Sequence, residues 1–184
     1  MPRKPPRGLS PGSFVALLQR IRLVVLDVDG TMTDGRLYYG AGGEAMKAFD
    51  VRDGHGLRLL SMHGGVKLAV LTGRRADLVL QRCRELSIEQ VVGQSRAKGK
   101  AIDKICADAG VPLADTAFMG DDVNDLPALR KAGLSCAPAD AAAEVLREVS
   151  WVSTRPAGRG AVRELCELLL GAKGGWPPPD PESP

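Results

Sequence analysis

Apolar positions along this chain fall into two patterns that take turns. Short, nearly continuous apolar runs at 24–28 (VVLDV), 66–72 (VKLAVLT), 116–120 (TAFMG) and 134–138 (LSCAP) read as buried strands, with a shorter one at 89–93 (EQVVG). Between them lie stretches with apolar residues three and four apart: 55–63, 75–86, 98–110, 125–133, 140–149 and 160–170. That spacing predicts amphipathic helices. Strands alternating with helices predict an α/β fold, a three-layer Rossmann-like arrangement around a mainly parallel sheet.

One segment breaks the alternation. Residues 36–52 (RLYYGAGGEAMKAFDVR) hold two strand-like pieces around Gly40-Ala41-Gly42-Gly43, which predicts a β-hairpin. The chain between Asp29 and Thr72 has room for this hairpin and one helix, so the domain is expected to be capless, with only a small hairpin at 36–50 inserted after the first strand. A single domain is expected over 11–173, between a disordered leader at 1–10 and a Pro-rich disordered tail at 174–184.

Composition narrows the function class. At 184 residues, 44% hydrophobic and 26% charged, the chain has the make-up of a soluble domain with a full core. The net charge is +3, but Arg3, Lys4 and Arg7 lie in the leader, so the folded body is close to neutral. With aromatics at 4% and no basic helix interleaved with them, a nucleic-acid surface is not expected. No apolar run is long enough to cross a membrane, and Cys83, Cys106, Cys136 and Cys166 form no CxxC pair, so buried thiols in a reducing cytoplasm are expected.

The candidate chemistry sits where strands end. The first strand stops at Asp27-Val28-Asp29-Gly30-Thr31. Carboxylates at positions i and i+2 lie on one side of an extended chain, and so close a pair calls for a cation. An Asx turn is the plain alternative for an isolated DxD. An EF-hand loop is excluded because Tyr38 stands where its closing glutamate would be. The second strand ends at Thr72-Gly73, whose hydroxyl and N–H groups suit phosphate oxygens. Lys98 and Lys100 open a helix, against its macrodipole, so one of them needs an anionic partner, although a solvated lysine is the ordinary reading of either. A later strand runs into Gly120-Asp121-Asp122-Val123-Asn124-Asp125, where capping by Asn124 or Asp125 explains one acidic residue and leaves the others for a metal.

In chain order, DxDGT, Thr-Gly, Lys and GDDxND resemble the motif series of the haloacid dehalogenase superfamily. The response-regulator receiver shares some of these groups but lacks the second acidic cluster and the hairpin. The strings DVDGTMTDGRLYYG, KAFDVRDGHGLRLL, LTGR, GDDVNDLPALRKAGLS and GRGAVRELCELLL further resemble the 3-deoxy-D-manno-octulosonate 8-phosphate (KDO 8-phosphate) phosphatase family, from about Leu23 to Leu170. The chain departs from that family at Asp50, where asparagine is usual, and at Ala97, where a polar residue is usual.

The resemblance implies a phosphatase of lipopolysaccharide synthesis with Asp27 as nucleophile, Asp29 as general acid and base, and Thr72 and Lys98 on the phosphate. It implies Mg²⁺ held by Asp27, the Asp29 carbonyl and Asp121, with Asp122 and Asp125 supporting from behind. Substrate contacts are implied for Asp29, Asp50, Val51, Arg52, Asp53, Gly54, Arg58, Arg74, Arg82 and Lys98, the arginine forks suiting a sugar acid's carboxylate. A homotetramer is implied too, in which a neighbour's hairpin and tail cover each site. A nine-carbon sugar-acid phosphate is an alternative substrate, and a non-catalytic oligomerisation module an alternative role. Arg159 and Arg163 receive no role, and His55 and His63 read as helix-surface residues.

Overall fold

A computed structural model describes residues 10–178. The leader expected at 1–10 and the tail expected at 174–184 therefore lie largely outside the described residues. Strands β1 (Leu23–Leu26), β4 (Lys67–Leu71), β5 (Gln90–Val92), β6 (Thr116–Met119), β7 (Leu134–Ala137) and β8 (Trp151–Val152) form one sheet in the order β5-β4-β1-β6-β7-β8. Every pairing in it is parallel. The expected hairpin is present as antiparallel β2 (Tyr38–Gly40) and β3 (Gly43–Met46).

Side-chain alternation along β1 divides the interior into two cores. Val24 and Leu26 join one with Phe14, Leu57, Val79 and Leu165, whereas Leu23 and Val25 join the other with Ile102, Ile105 and Val145. Helices α1 (Pro11–Arg20), α2 (Val51–Gly64), α3 (Asp77–Glu85) and α7 (Ala161–Ala172) contribute to the first core. Helices α4 (Lys98–Ala109), α5 (Leu126–Leu129) and α6 (Ala143–Glu148) cover the other face. The strand order reverses at β1, since β4 and β5 lie to one side of it and β6 to β8 to the other. Ligands of open parallel sheets bind at that switch point, beyond the strands' carboxyl ends.

Two elements escape the sequence patterning. Helix α1 begins with Ser10, whose side chain accepts from Ser13 N, followed by Pro11 at the first helical position. The cap is a recognisable signal, hidden by the Pro-rich segment before it, and it removes Ser10 from the expected leader. Strand β8 has only two residues, too few to show a period. At the other end Trp176 packs against the larger core, with the Arg163 guanidinium 4.9 Å above its ring, so the chain stays folded past the expected boundary at 173.

Asp53 is held within its own chain. It is 4% exposed, and its carboxylate accepts from Arg163 N at 2.7 Å and Gly160 N at 3.3 Å. Those are orphan donors at the start of α7, so Asp53 ties α2 to α7. Gly54, beside it, is close to Arg82, as a Cβ there would lie 2.0 Å from Nη2. Asp53→Ala is expected to destabilise the fold by about 1–2 kcal/mol in urea unfolding, and Asp53→Asn by less.

Candidate active site

Four loops meet at the carboxyl edge of the sheet around a cavity of about 430 Å³. Its walls are Asp27 and Asp29 after β1, Thr72, Gly73 and Arg74 after β4, Ser95, Arg96 and Lys98 leading into α4, and Asp121, Asp122 and Asn124 after β6. Asp27 is fixed by its own backbone, because Asp27 N donates to Met119 O at 2.9 Å and extends the β1–β6 ladder. The turn that follows folds tightly, with Thr31, Met32 and Thr33 N–H groups all donating to Val28 O.

Lys98 is a buried cation at the centre of the acidic cluster. Its side chain is 2% exposed, and Nζ lies 2.7 Å from Asp27 Oδ1 and 2.5 Å from Asp125 Oδ1. Burial alone would lower the lysine's pKa, but Asp27 and Asp125 outweigh it and hold the ammonium above its ordinary value. The anionic partner that a lysine at a helix N-terminus requires is therefore present twice. Lys100 is exposed, which resolves the choice between the two lysines.

Carboxylates outnumber that single charge. Ligand atoms of Asp27, Asp121 and Asp125 lie within 4.8 Å of one another. Burial, then Asp125, pushes Asp27 up to about 6 against the pull of Lys98. Burial, then Asp27 and Asp125, pushes Asp121 up to about 8. Asp125 has both oxygens committed, Oδ1 to Lys98 and Oδ2 to the N–H groups of Asp121 and Asp122. Asp27 and Asp121 thus remain as donors, and two crowded hard-oxygen ligands fit a divalent cation. Gly30 permits the approach, since its φ is +86° and a Cβ there would lie 2.0 Å from Asp121 Oδ2.

Asp29 and Asp122 each have a side chain engaged locally. The acidic group that clusters includes Asp125 in place of Asp29, whose side chain turns instead to Lys47. Asp29 is left with its backbone carbonyl as its route into a metal site. Capping at the last loop falls to Asp122, which accepts from Val123 N at 2.7 Å, with Asp125 completing a reciprocal capping box. Thr72 is buried, and its Oγ1 accepts from Arg74 N at 3.1 Å.

The expected substrate residues separate into two groups. Asp29, Arg74 and Lys98 line the cavity, whereas Asp50, Val51, Arg52, Asp53, Gly54, Arg58 and Arg82 do not. Asp50 caps α2 by accepting from Arg52 N at 2.7 Å. Hydrogen bonds from the Arg52 side chain, ahead of the opposing effect of burial, lower its pKa, so its extra charge is answered locally. Arg58 donates to Glu85 O at 3.5 Å, and Arg82 pairs with Glu85. Val51 and Arg52 are exposed at the start of α2.

Two charged residues at this site carry no signal in the linear spacing. Lys47, one residue past β3, is 1% exposed at its side chain and donates to Asp29 Oδ1 and Glu44 Oε1. The second Glu44 oxygen accepts from Arg74 Nε and Nη2, at 3.3 and 2.8 Å. Burial works against the Glu44 charge, but the bonds from Lys47 and Arg74 prevail and lower its pKa. The hairpin therefore reaches the site of its own chain. Ser95 and Arg96 also line the cavity from the loop before α4, where the pattern singles out only the lysine.

Comparison with known proteins agrees with this geometry. A family model described as haloacid dehalogenase-like hydrolase matches residues 85–165. A curated relative from Escherichia coli (strain K12), named 3-deoxy-D-manno-octulosonate 8-phosphate phosphatase KdsC, is 41% identical over 160 residues, 87% of this chain and 85% of its own. The cobalt-bound deoxy-D-mannose-octulosonate 8-phosphate phosphatase from Haemophilus influenzae superposes with a TM-score of 0.83 at 40% identity, covering 86% of this chain and 92% of that one. The 3-deoxy-D-manno-octulosonate 8-phosphate phosphatase from Moraxella catarrhalis, in complex with magnesium ion, phosphate ion and KDO, superposes at 0.86 with 34% identity, covering 91% and 95%.

The raised Asp121 carboxyl sets a pH dependence. Its proton is held more tightly in the folded chain than in the unfolded one, so its contribution to stability is complete below about pH 3.8 and is lost as the pH rises towards about 8. The melting temperature of metal-free protein is expected to fall across that window. Asp121→Asn should flatten the fall, and divalent cation should raise the wild-type melting temperature more at pH 8 than at pH 5. Differential scanning calorimetry checks all three.

Proposed function

The chain belongs to the 3-deoxy-D-manno-octulosonate 8-phosphate phosphatases among the haloacid dehalogenase-like hydrolases and is a phosphoric monoester hydrolase, and from that premise we propose that it hydrolyses KDO 8-phosphate to KDO and inorganic phosphate, in the cytoplasm, for lipopolysaccharide synthesis. The observation that carries this reading is the buried Lys98 bridging Asp27 and Asp125 beside Asp121, at the wall of the cavity beyond the sheet's carboxyl edge.

Asp27 attacks phosphorus in line, forming its Oδ–P bond as the bond to the sugar oxygen breaks. Asp29 gives that departing oxygen a proton. It then takes one from the water whose oxygen displaces Asp27 from phosphorus. Lys98 holds the attacking carboxylate in line, and with Thr72 it neutralises the equatorial oxygens as charge builds. A divalent cation bound by Asp27 and Asp121, proposed to be Mg²⁺, would offset the repulsion between the anionic nucleophile and the phosphate. Arg74, 39% exposed at the cavity wall, suits the substrate's carboxylate. Asp122 and Asp125 keep the last loop and Lys98 in place.

Among the described residues no separate lid domain stands over the cavity, so selectivity needs more than these residues supply. Leu37, Tyr38, Tyr39 and Met46 leave the hairpin apolar and exposed, Tyr39 at 67% and Met46 at 60%. A homotetramer in which that surface meets a neighbour would bring Asp50 to Gly54, Arg58 and Arg82 near a second copy's substrate. Sedimentation at micromolar concentration is expected to give the tetramer mass. Fully active monomers would overturn this part of the reading.

Release of inorganic phosphate across a panel of sugar-acid phosphates tests the substrate. KDO 8-phosphate is expected to give the highest kcat/KM, above nine-carbon sugar-acid phosphates, which are the second reading because they too offer a carboxylate and a terminal phosphate. Chelation of divalent cations should abolish turnover. Asp27→Asn should lower kcat by on the order of a thousandfold or more, and retention of substantial activity by that variant excludes the covalent route.

A further inference from the structure

Among the described residues one buried side-chain polar atom lacks a hydrogen-bond partner, and it is Asp29 Oδ2. The other oxygen of the same carboxylate is held by Lys47. Lys47 is itself held by Glu44, and Glu44 by Arg74. Arg74 Nε stands 4.0 Å from the free Asp29 oxygen, beyond hydrogen-bond reach. A carboxylate tied down at one oxygen and bare at the other has one atom left for proton transfer, and its rotation is blocked.

We propose that Lys47 is a positioning residue for the reaction: from the hairpin of the same chain it fixes the Asp29 side chain so that Oδ2 faces its proton-transfer partner. Three observations point the same way. The Lys47 side chain is 1% exposed, so its ammonium was taken out of water to make these contacts, a cost that a hairpin pin on the surface would avoid. Asp29 lies on the cavity wall, whereas Lys47 does not, so the lysine acts through the aspartate. Glu44 spans Lys47 and Arg74, which fixes the ammonium from behind without competing for Asp29. The proton delivered to the departing oxygen, and the one later taken from water, both pass through Asp29.

The inference rests on the phosphatase reading, and leaving-group dependence separates the two. A sugar phosphate needs a proton on its departing oxygen, while p-nitrophenyl phosphate loses a stable phenolate without one. Lys47→Met should lower kcat on KDO 8-phosphate by about 30- to 300-fold, near the low end of the roughly 100- to 10,000-fold that general acid–base catalysis contributes, with KM changed by less than about threefold. The pre-steady-state burst of p-nitrophenol should fall by less than about threefold. Glu44→Gln, which keeps its volume and loses its hold on Lys47, should show a smaller loss with the same split, and Lys47→Arg should restore part of it. In an Asp29→Asn background, Lys47→Met should cost nothing further, because residues acting as a unit are not additive. Equal losses on both substrates, or a full additional loss in the Asp29→Asn background, would show that Lys47 merely anchors the hairpin and would overturn the inference. Wild-type protein releasing no phosphate from either compound would overturn the phosphatase reading and this one with it.

Discussion

The site depends on one buried ammonium between two carboxylates. Lys98 joins Asp27, at the end of β1, to Asp125, beyond β6, while itself opening α4. Three loops that are remote in sequence are thereby held in one register by a single side chain. Such a pair is costly to desolvate and costlier to break, about 3–5 kcal/mol when one partner is removed. Lys98 also limits how far the acidic cluster can neutralise itself, since one positive charge faces three carboxylates. The remaining imbalance makes the site a receptor for a cation and, through it, for an anion.

Much of the architecture was legible because long elements carry strong periods. β1, β4, β6 and β7 are nearly unbroken apolar runs, and α2, α3, α4 and α7 repeat apolar residues at helical spacing, so a parallel three-layer sheet follows from alternation alone. What escaped was short or masked: two residues of β8, and α1 behind a Pro-rich segment. The acidic motifs were legible for a further reason, because a carboxylate placed directly after a buried strand has few innocent explanations.

The charged residues of the hairpin were not legible, and the reason is geometric. Lys47 and Glu44 reach Asp29 and Arg74 only because the chain folds back across its own sheet edge. No local spacing encodes a contact that depends on the angle at which a two-stranded ribbon leaves the domain. The capping role of Asp53 was hidden in the opposite sense. That residue stands beside a run of residues that look like one binding segment, yet helical geometry turns it inward to cap α7, while Val51 and Arg52 turn outward. Neighbours in sequence on a helix seldom share a task.

Asp27, Asp29, Lys98 and Lys47 all come from one polypeptide. If the proposed roles hold, each copy in an assembly carries its own reacting groups and borrows at most the walls around them. A damaged subunit in a mixed particle should then subtract only its own share of the output.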